Sequence, residues 1–199
     1  MHPDTEPAVT PRRVLPDVMV DIETTGVRPD HAAILQIAAV RFDVETFEVD
    51  HLDMFNACLT IPADRYWSED TRDWWLGQKP GVLQDIFDRM EPAEAVMERF
   101  YRWSTQHDRP VFWSKPLSFD YPFVASYFAR YGWPMPYHHS TARDVRSFCA
   151  GVTFPNPPIS DKDLEFQGDA HNAIFDVLHQ IKYVFRVVQE RRAGVVEHG

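Results

Sequence analysis

A short apolar run that closes on two acids, Val18-Met19-Val20-Asp21-Ile22-Glu23, constrains the fold of this chain more than any other stretch. Its uninterrupted hydrophobic start predicts a buried strand over 17–22. Side chains alternate across a strand, so Asp21 and Glu23 leave the same face at its end. A second strand is predicted over 34–42 and a third over 47–61 with an irregular middle, and the short links between them imply an antiparallel meander. From residue 68 onward helical and extended patterns alternate. Helices are predicted over 68–76, 93–105, 119–131, 141–149 and roughly 170–190, with short strands over 110–113 and 137–139. Three antiparallel strands followed by alternating helices and strands place the chain in the α/β class, as a mixed five-stranded sheet flanked by helices.

At 199 residues and 44% hydrophobic content, the chain suits one well-buried domain and is short for two. Pro3, Pro7, Pro11 and Pro16 among polar neighbours predict a loose tail over 1–16, leaving a folded domain over 17–190 and a second tail over 191–199. No stretch approaches the 18 or so apolar residues of a membrane span and the N-terminus lacks a signal-peptide pattern, so the expectation is a cytoplasmic protein with no membrane partner. Cys58 and Cys149 have no paired spacing and are expected to be small core residues rather than zinc ligands or a disulfide. Thirty acidic against twenty basic residues, a net charge of −10, argue against a long nonspecific grip on duplex DNA. The same charge suits a short single-stranded end, whose bases can stack on aromatics while cations neutralise central acids. It also suits a protein that never meets nucleic acid, and charge alone does not separate the two.

Later acids separate them better. Asp120 lies in Ser118-Phe119-Asp120-Tyr121, where a turn runs into a helix, and His171-Asn172-Ala173-Ile174-Phe175-Asp176 opens the last amphipathic segment. Each has an ordinary reading alone, as a solvated strand end, a carboxylate at a helix N-terminus or a capping histidine. Together they make an inventory for phosphodiester hydrolysis. That reaction needs a nucleophile made from water and relief of charge on the phosphorane and leaving oxygens, which two divalent ions about 3.5 to 4 Å apart supply. Hard oxygen ligands favour Mg²⁺ or Mn²⁺ over zinc, and His171 is the natural general base.

The order and spacing of Asp21, Glu23, Asp120, His171 and Asp176 resemble the DEDDh group of 3′-to-5′ exonucleases. Two further segments draw the resemblance toward stand-alone phage exonuclease A-type enzymes and small bacterial exoribonucleases. Asp73-Trp74-Trp75-Leu76-Gly77-Gln78 resembles their Trp-Trp-x-x-Gln, and Arg143-Asp144-Val145-Arg146 their Arg-Asp-x-Arg. The likeness spans roughly residues 17 to 188 and departs from proofreading-type relatives at Trp113-Ser114-Lys115-Pro116-Leu117-Ser118, where a small polar residue and Gly often precede Phe-Asp. It implies a ribonuclease-H-like sheet with the first strand central. It also implies two metal ions, with Asp21 bridging both, Glu23 and Asp176 completing the water-activating site, and Asp120 on the second ion.

By the same likeness the Thr24-Thr25-Gly26 turn holds the 3′-terminal nucleotide while Glu23 meets its hydroxyl. Phe119, Trp75 and Gln78 are further candidate substrate contacts, with Lys79 and Lys115 as candidate phosphate contacts. Adjacent Trp74 and Trp75 point about 100° apart on a helix, so one is expected at substrate and the other in the core. Arg143 and Arg146, one turn apart on the helix predicted over 141–149, buttress the site, reach a phosphate or form an ion pair within the domain. The implied substrate is a single-stranded 3′ end, DNA slightly ahead of RNA, with nucleoside 5′-monophosphates released. Alternatives are an exoribonuclease or oligoribonuclease acting on short RNA, a hydrolase of dinucleotides, and a non-catalytic module that holds nucleic-acid ends. The sequence is silent on oligomeric state, and a homodimer is among the options because some relatives complete their groove that way.

Overall fold

A computed structural model describes residues 13–79, 81–157 and 159–196, so most of the tail predicted over 1–16, and the last three residues of the one predicted over 191–199, lie outside the described residues. The first strand, β1 (Asp17–Thr24), pairs antiparallel with β2 (Ile34–Asp43), Asp21 opposite Ala38 and Glu23 opposite Gln36. All ten residues of β2 are buried, as expected of a strand covered on both faces. Around them lie β3 (Glu48–Val49), β4 (Phe55–Leu59), β5 (Met90–Glu91), β6 (Val111–Ser114) and β7 (Arg143–Asp144), in the order β5-β4-β2-β1-β6-β7 with β3 on β2. The β1–β6, β6–β7 and β4–β5 pairs are parallel and the rest antiparallel. The expected mixed sheet is therefore present with β1 inside it. Its count rises to seven because β3 and β5, two residues each, are too short to give a pattern.

The two faces of β1 serve different cores. Val18, Val20 and Ile22 pack under α3 (Ala93–Ser104) and α4 (Leu117–Arg130), while Met19 packs under α5 (Val145–Thr153) and α6 (Ala173–Val196). Asp21 and Glu23 continue the Met19 face, so they end beneath α6. The buried stripe of α6 runs through Ala173, Val177, Ile181, Val184 and Val187, and this 3-and-4 spacing also turns Asp176 and Gln180 toward the sheet. A third cluster joins Leu35 and Cys58 to Trp75 of α1 (Glu69–Leu76) and to Val82 and Ile86 of α2 (Val82–Asp88). Both cysteines are free and buried.

Four details differ from the sequence pattern. The helix α2 was not predicted, though Val82 and Ile86 stand four apart after Gly81, whose φ of 99° glycine tolerates. The strand expected over 137–139 is irregular, because Tyr137 is a core plug whose hydroxyl meets Ser104 Oγ at 2.8 Å. Arg143–Asp144 takes its place beside β6, which puts Arg143 on a strand and Arg146 on α5 instead of both on one helix. The last helix continues past Glu190 to Val196.

Candidate active site

Carboxylate oxygens of Asp21, Glu23 and Asp176 all lie within 4.8 Å of one another. The end of β1 delivers the first two and the first turn of α6 the third. Asp120, in the first turn of α4, is 2% exposed and close enough to repel both Asp21 and Glu23. Burial is the largest cause of raised pKa values throughout the group. It pushes Asp120 up to about 7, and Asp176 is raised as well. Asp21 and Glu23 are driven well above the ordinary range by burial and then by their acidic neighbours.

Among the described residues His171 and Lys115 act to lower the Asp176 carboxyl, but they do not offset its burial. Asp120 Oδ2 and Asp176 Oδ2 are buried without a hydrogen-bond partner among the described residues, as is the neighbouring Gln180 Oε1. Buried acceptors left unpaired cost free energy. Clustered hard oxygens with free lone pairs suit a divalent cation of the Mg²⁺ or Mn²⁺ kind. Asp21, Glu23 and Asp176 could hold such an ion, with Asp120 beside them.

Polar residues outside the acidic motifs fix the acids in place, Gln36 and Gln180 among them unmarked by any sequence motif. Gln36, fully buried on β2 and opposite Glu23, donates from Nε2 to Asn172 Oδ1 at 2.9 Å and accepts from the Ala173 N–H at 3.2 Å. It thereby satisfies the start of α6 and ties it to the strand beside the acids. Gln180, one turn beyond Asp176, donates to Asp21 Oδ1 at 2.8 Å. Asp144 caps two helices at once, accepting from the Ser147 N–H of α5 at 2.8 Å and from the Leu117 N–H of α4 at 2.9 Å. The α4 N-cap, Pro116, has no side-chain hydrogen bond of its own, so Asp144 supplies it and steadies the turn carrying Asp120. Arg143 rests over the Trp113 ring at 4.9 Å.

His171 stands just before α6 with φ 62°, an uncommon conformation for a residue with a side chain, and its ring lies edge-on to Trp74 at 4.7 Å between centroids. It lines a cleft of about 680 Å³ together with Asp21, Glu23, Asp120, Asp176 and Phe119. A second hollow, lined by Val27, Thr24, Trp74 and Phe119, adjoins it across Ile22 and Glu23.

The other expected substrate contacts divide. Trp75 is 3% exposed and donates its indole N–H to the Thr24 carbonyl at 3.0 Å, so the tryptophan in the groove is Trp74, at 43% exposure. Thr25 is buried, its hydroxyl donating to the Tyr66 carbonyl and accepting from the Ala33 N–H. Thr24 Oγ1 bonds the Gly26 carbonyl, leaving the turn a rigid wall. Gln78 donates its amide to the Trp74 carbonyl at 3.0 Å and caps α1. Lys79 pairs with Asp169. His179 lines the cleft against Phe166, and burial holds its pKa below the usual value.

A family model described as the 3′-5′ exoribonuclease Rv2179c-like domain matches residues 16–188. No individually curated protein matches the chain. Among solved structures, cell-death related nuclease 4 is similar at 17% identity and TM-score 0.63, covering 87% of this chain and 64% of its own. Exonuclease I of E. coli in complex with a dA16 oligonucleotide is similar at 20% identity and TM-score 0.66, covering 92% of this chain and 42% of its own. The zinc-bound form of E. coli exonuclease I with single-stranded DNA gives 21% identity, TM-score 0.69, and coverage of 94% and 43%. The chain spans less than two thirds of each neighbour's length, and these likenesses show a shared fold.

Proposed function

The chain belongs to the Rv2179c-like 3′-5′ exoribonuclease domain family, and we propose that it hydrolyses single-stranded nucleic acid from the 3′ end, releasing nucleoside 5′-monophosphates. The observation that carries this reading is the convergence of Asp21, Glu23 and Asp176 to within 4.8 Å beside buried Asp120, with His171 in the same cleft. Residues 17–190 form the proposed exonuclease domain, a span supported by the family match over 16–188. The family's description favours RNA over the slight preference for DNA drawn from the Trp-Trp-x-x-Gln and Phe-Asp segments.

Two Mg²⁺ or Mn²⁺ ions held by Asp21, Glu23, Asp120 and Asp176 would activate water and offset charge on the phosphorane and the leaving oxygen. His171 accepts a proton from the attacking water. The water oxygen bonds to phosphorus as the P–O3′ bond breaks, and the leaving oxygen takes a proton from solvent to become the 3′-hydroxyl of the shortened strand. Glu23 borders both the acidic cleft and the adjoining hollow, a position suited to the terminal 3′-hydroxyl. Trp74, Val27 and Phe119 offer the terminal base an apolar seat, and the rigid Thr24–Gly26 turn closes its end.

Calorimetric titration with Mn²⁺ tests the site apart from turnover. Binding is expected in the unaltered protein and its loss in Asp21→Ala. Equal binding in both would remove the acid cluster as the metal site, and no binding in either would favour a module that holds ends without cutting.

A further inference from the structure

The carboxylates divide the groove into two unlike halves. On one side lies the apolar hollow of Val27, Trp74 and Phe119. On the other, Lys115, Arg146 and Lys162 line the cleft with the acids. Three cations lining one cleft stand out in a chain of net charge −10. Lys115 leaves the end of β6 and its side chain is only 18% exposed. Its ammonium sits 5.6 Å over the Tyr183 ring and pairs with Asp161, in a 3₁₀ turn at Asp161–Asp163. Arg146 is close enough to repel it. Arg146 and Lys162 are exposed and make no ion pair among the described residues. Asp144, the acid nearest Arg146 in sequence, feels its charge but forms no ion pair with it and accepts from the Leu117 and Ser147 N–H groups.

Given the proposed function, on which this step rests, the geometry points to Lys115, Arg146 and Lys162 as the subsite for the phosphate one nucleotide upstream of the scissile bond, so that the preferred substrate is a strand of three or more nucleotides and not a dinucleotide. With the terminal nucleoside in the apolar hollow and the scissile phosphate over the acids, the strand leaves across the basic wall. A dinucleotide has a single internal phosphate, which the acid site takes, and it leaves the wall empty. A longer strand brings a second phosphate there, within reach of the Lys115 ammonium, where it competes with the Asp161 carboxylate. Asp161 thus occupies the subsite until a phosphate replaces it, and side chains of one sign become useful only on a polyanion.

The test compares a 5′-hydroxyl dinucleotide with a pentanucleotide of the same sequence. It reads kcat/KM over a salt series, together with equilibrium binding of the same strands carrying a phosphorothioate at the terminal linkage. The unaltered protein is expected to favour the pentanucleotide about tenfold or more in binding. Lys115→Gln and Arg146→Gln should each reduce that ratio about threefold or more. Each lost contact should flatten the log–log salt dependence of pentanucleotide binding by about 0.7. Asp161→Asn, which frees the ammonium, should raise the ratio. Exposed Arg146 and Lys162 keep the test decisive if Lys115→Gln fails to fold. Equal binding of the two strands, or variants that weaken both alike, would overturn the inference. A preserved pentanucleotide preference with no shortening of either strand would instead overturn the proposed function and leave the subsite standing.

Discussion

Asp120 carries a carboxyl pushed up to about 7 by burial, and its folded pKa therefore lies above the unfolded value of about 4. The metal-free folded protein binds a proton that the unfolded chain has released, so its stability falls as pH rises through that interval. Asp21, Glu23 and Asp176 are shifted the same way. Thermal melts in chelator should give a higher Tm at pH 5.5 than at pH 8. Asp120→Asn should raise the unfolding free energy at pH 8, by on the order of a few kcal/mol, and flatten the Tm difference. A metal-free protein more stable at pH 8 would contradict the electrostatic account. For His171, alanine should lower kcat roughly 10² to 10⁴-fold while Mn²⁺ binding persists, which separates a proton acceptor from a ligand. These residues were legible in the sequence because the chemistry restricts their types and the chain preserves their order. The tryptophan pair was legible only by half. Helix geometry requires Trp74 and Trp75 to diverge, but which one is buried depends on the Thr24 carbonyl, which lies far away in sequence.

Elements meet at this site through single side chains. Gln36 joins β2 to the start of α6, and the segment it holds runs from His171, just before the helix, to Asp176 in its first turn. Gln36→Leu keeps the volume and removes the link. It should cost about 1 to 3 kcal/mol, by leaving the Ala173 N–H and Asn172 unpaired, and lower kcat more than it raises KM. Unchanged kinetics with reduced stability would make Gln36 structural only. Asp144→Ala uncaps α4 and α5 together and should cost about 1 to 4 kcal/mol in urea unfolding. Neither residue was legible as a support. Gln36 sits in an apolar run, and Asp144 lies in a segment that reads as helix until β6 is seen to need a parallel neighbour. The same dependence on partners explains the misplaced strand over 137–139. Tyr137 has a strand-former's composition, but its hydroxyl is fixed by Ser104 of α3.

At the scale of the whole molecule, a sheet covered on both faces brings four acids from the start, middle and end of the chain to the end of its inner strand β1. Long apolar runs at β1 and β2 and the stripe of α6 made that architecture readable, whereas two-residue strands leave no periodicity to read. Among the described residues no helix is long and apolar enough to cross a membrane. Because the acids repel one another without a cation, Mg²⁺ or Mn²⁺ should stabilise the folded protein, by about 2.7 kcal/mol at a hundred times Kd, and chelation should lower Tm. The most direct test is product analysis of matched 5′-labelled single-stranded RNA and DNA, with Mg²⁺, Mn²⁺ or chelator, beside the Asp21→Ala protein. The account predicts a ladder shortening from the 3′ end that requires the metal and vanishes in the variant. Intact strands under every metal, or an undiminished ladder from Asp21→Ala, would contradict it.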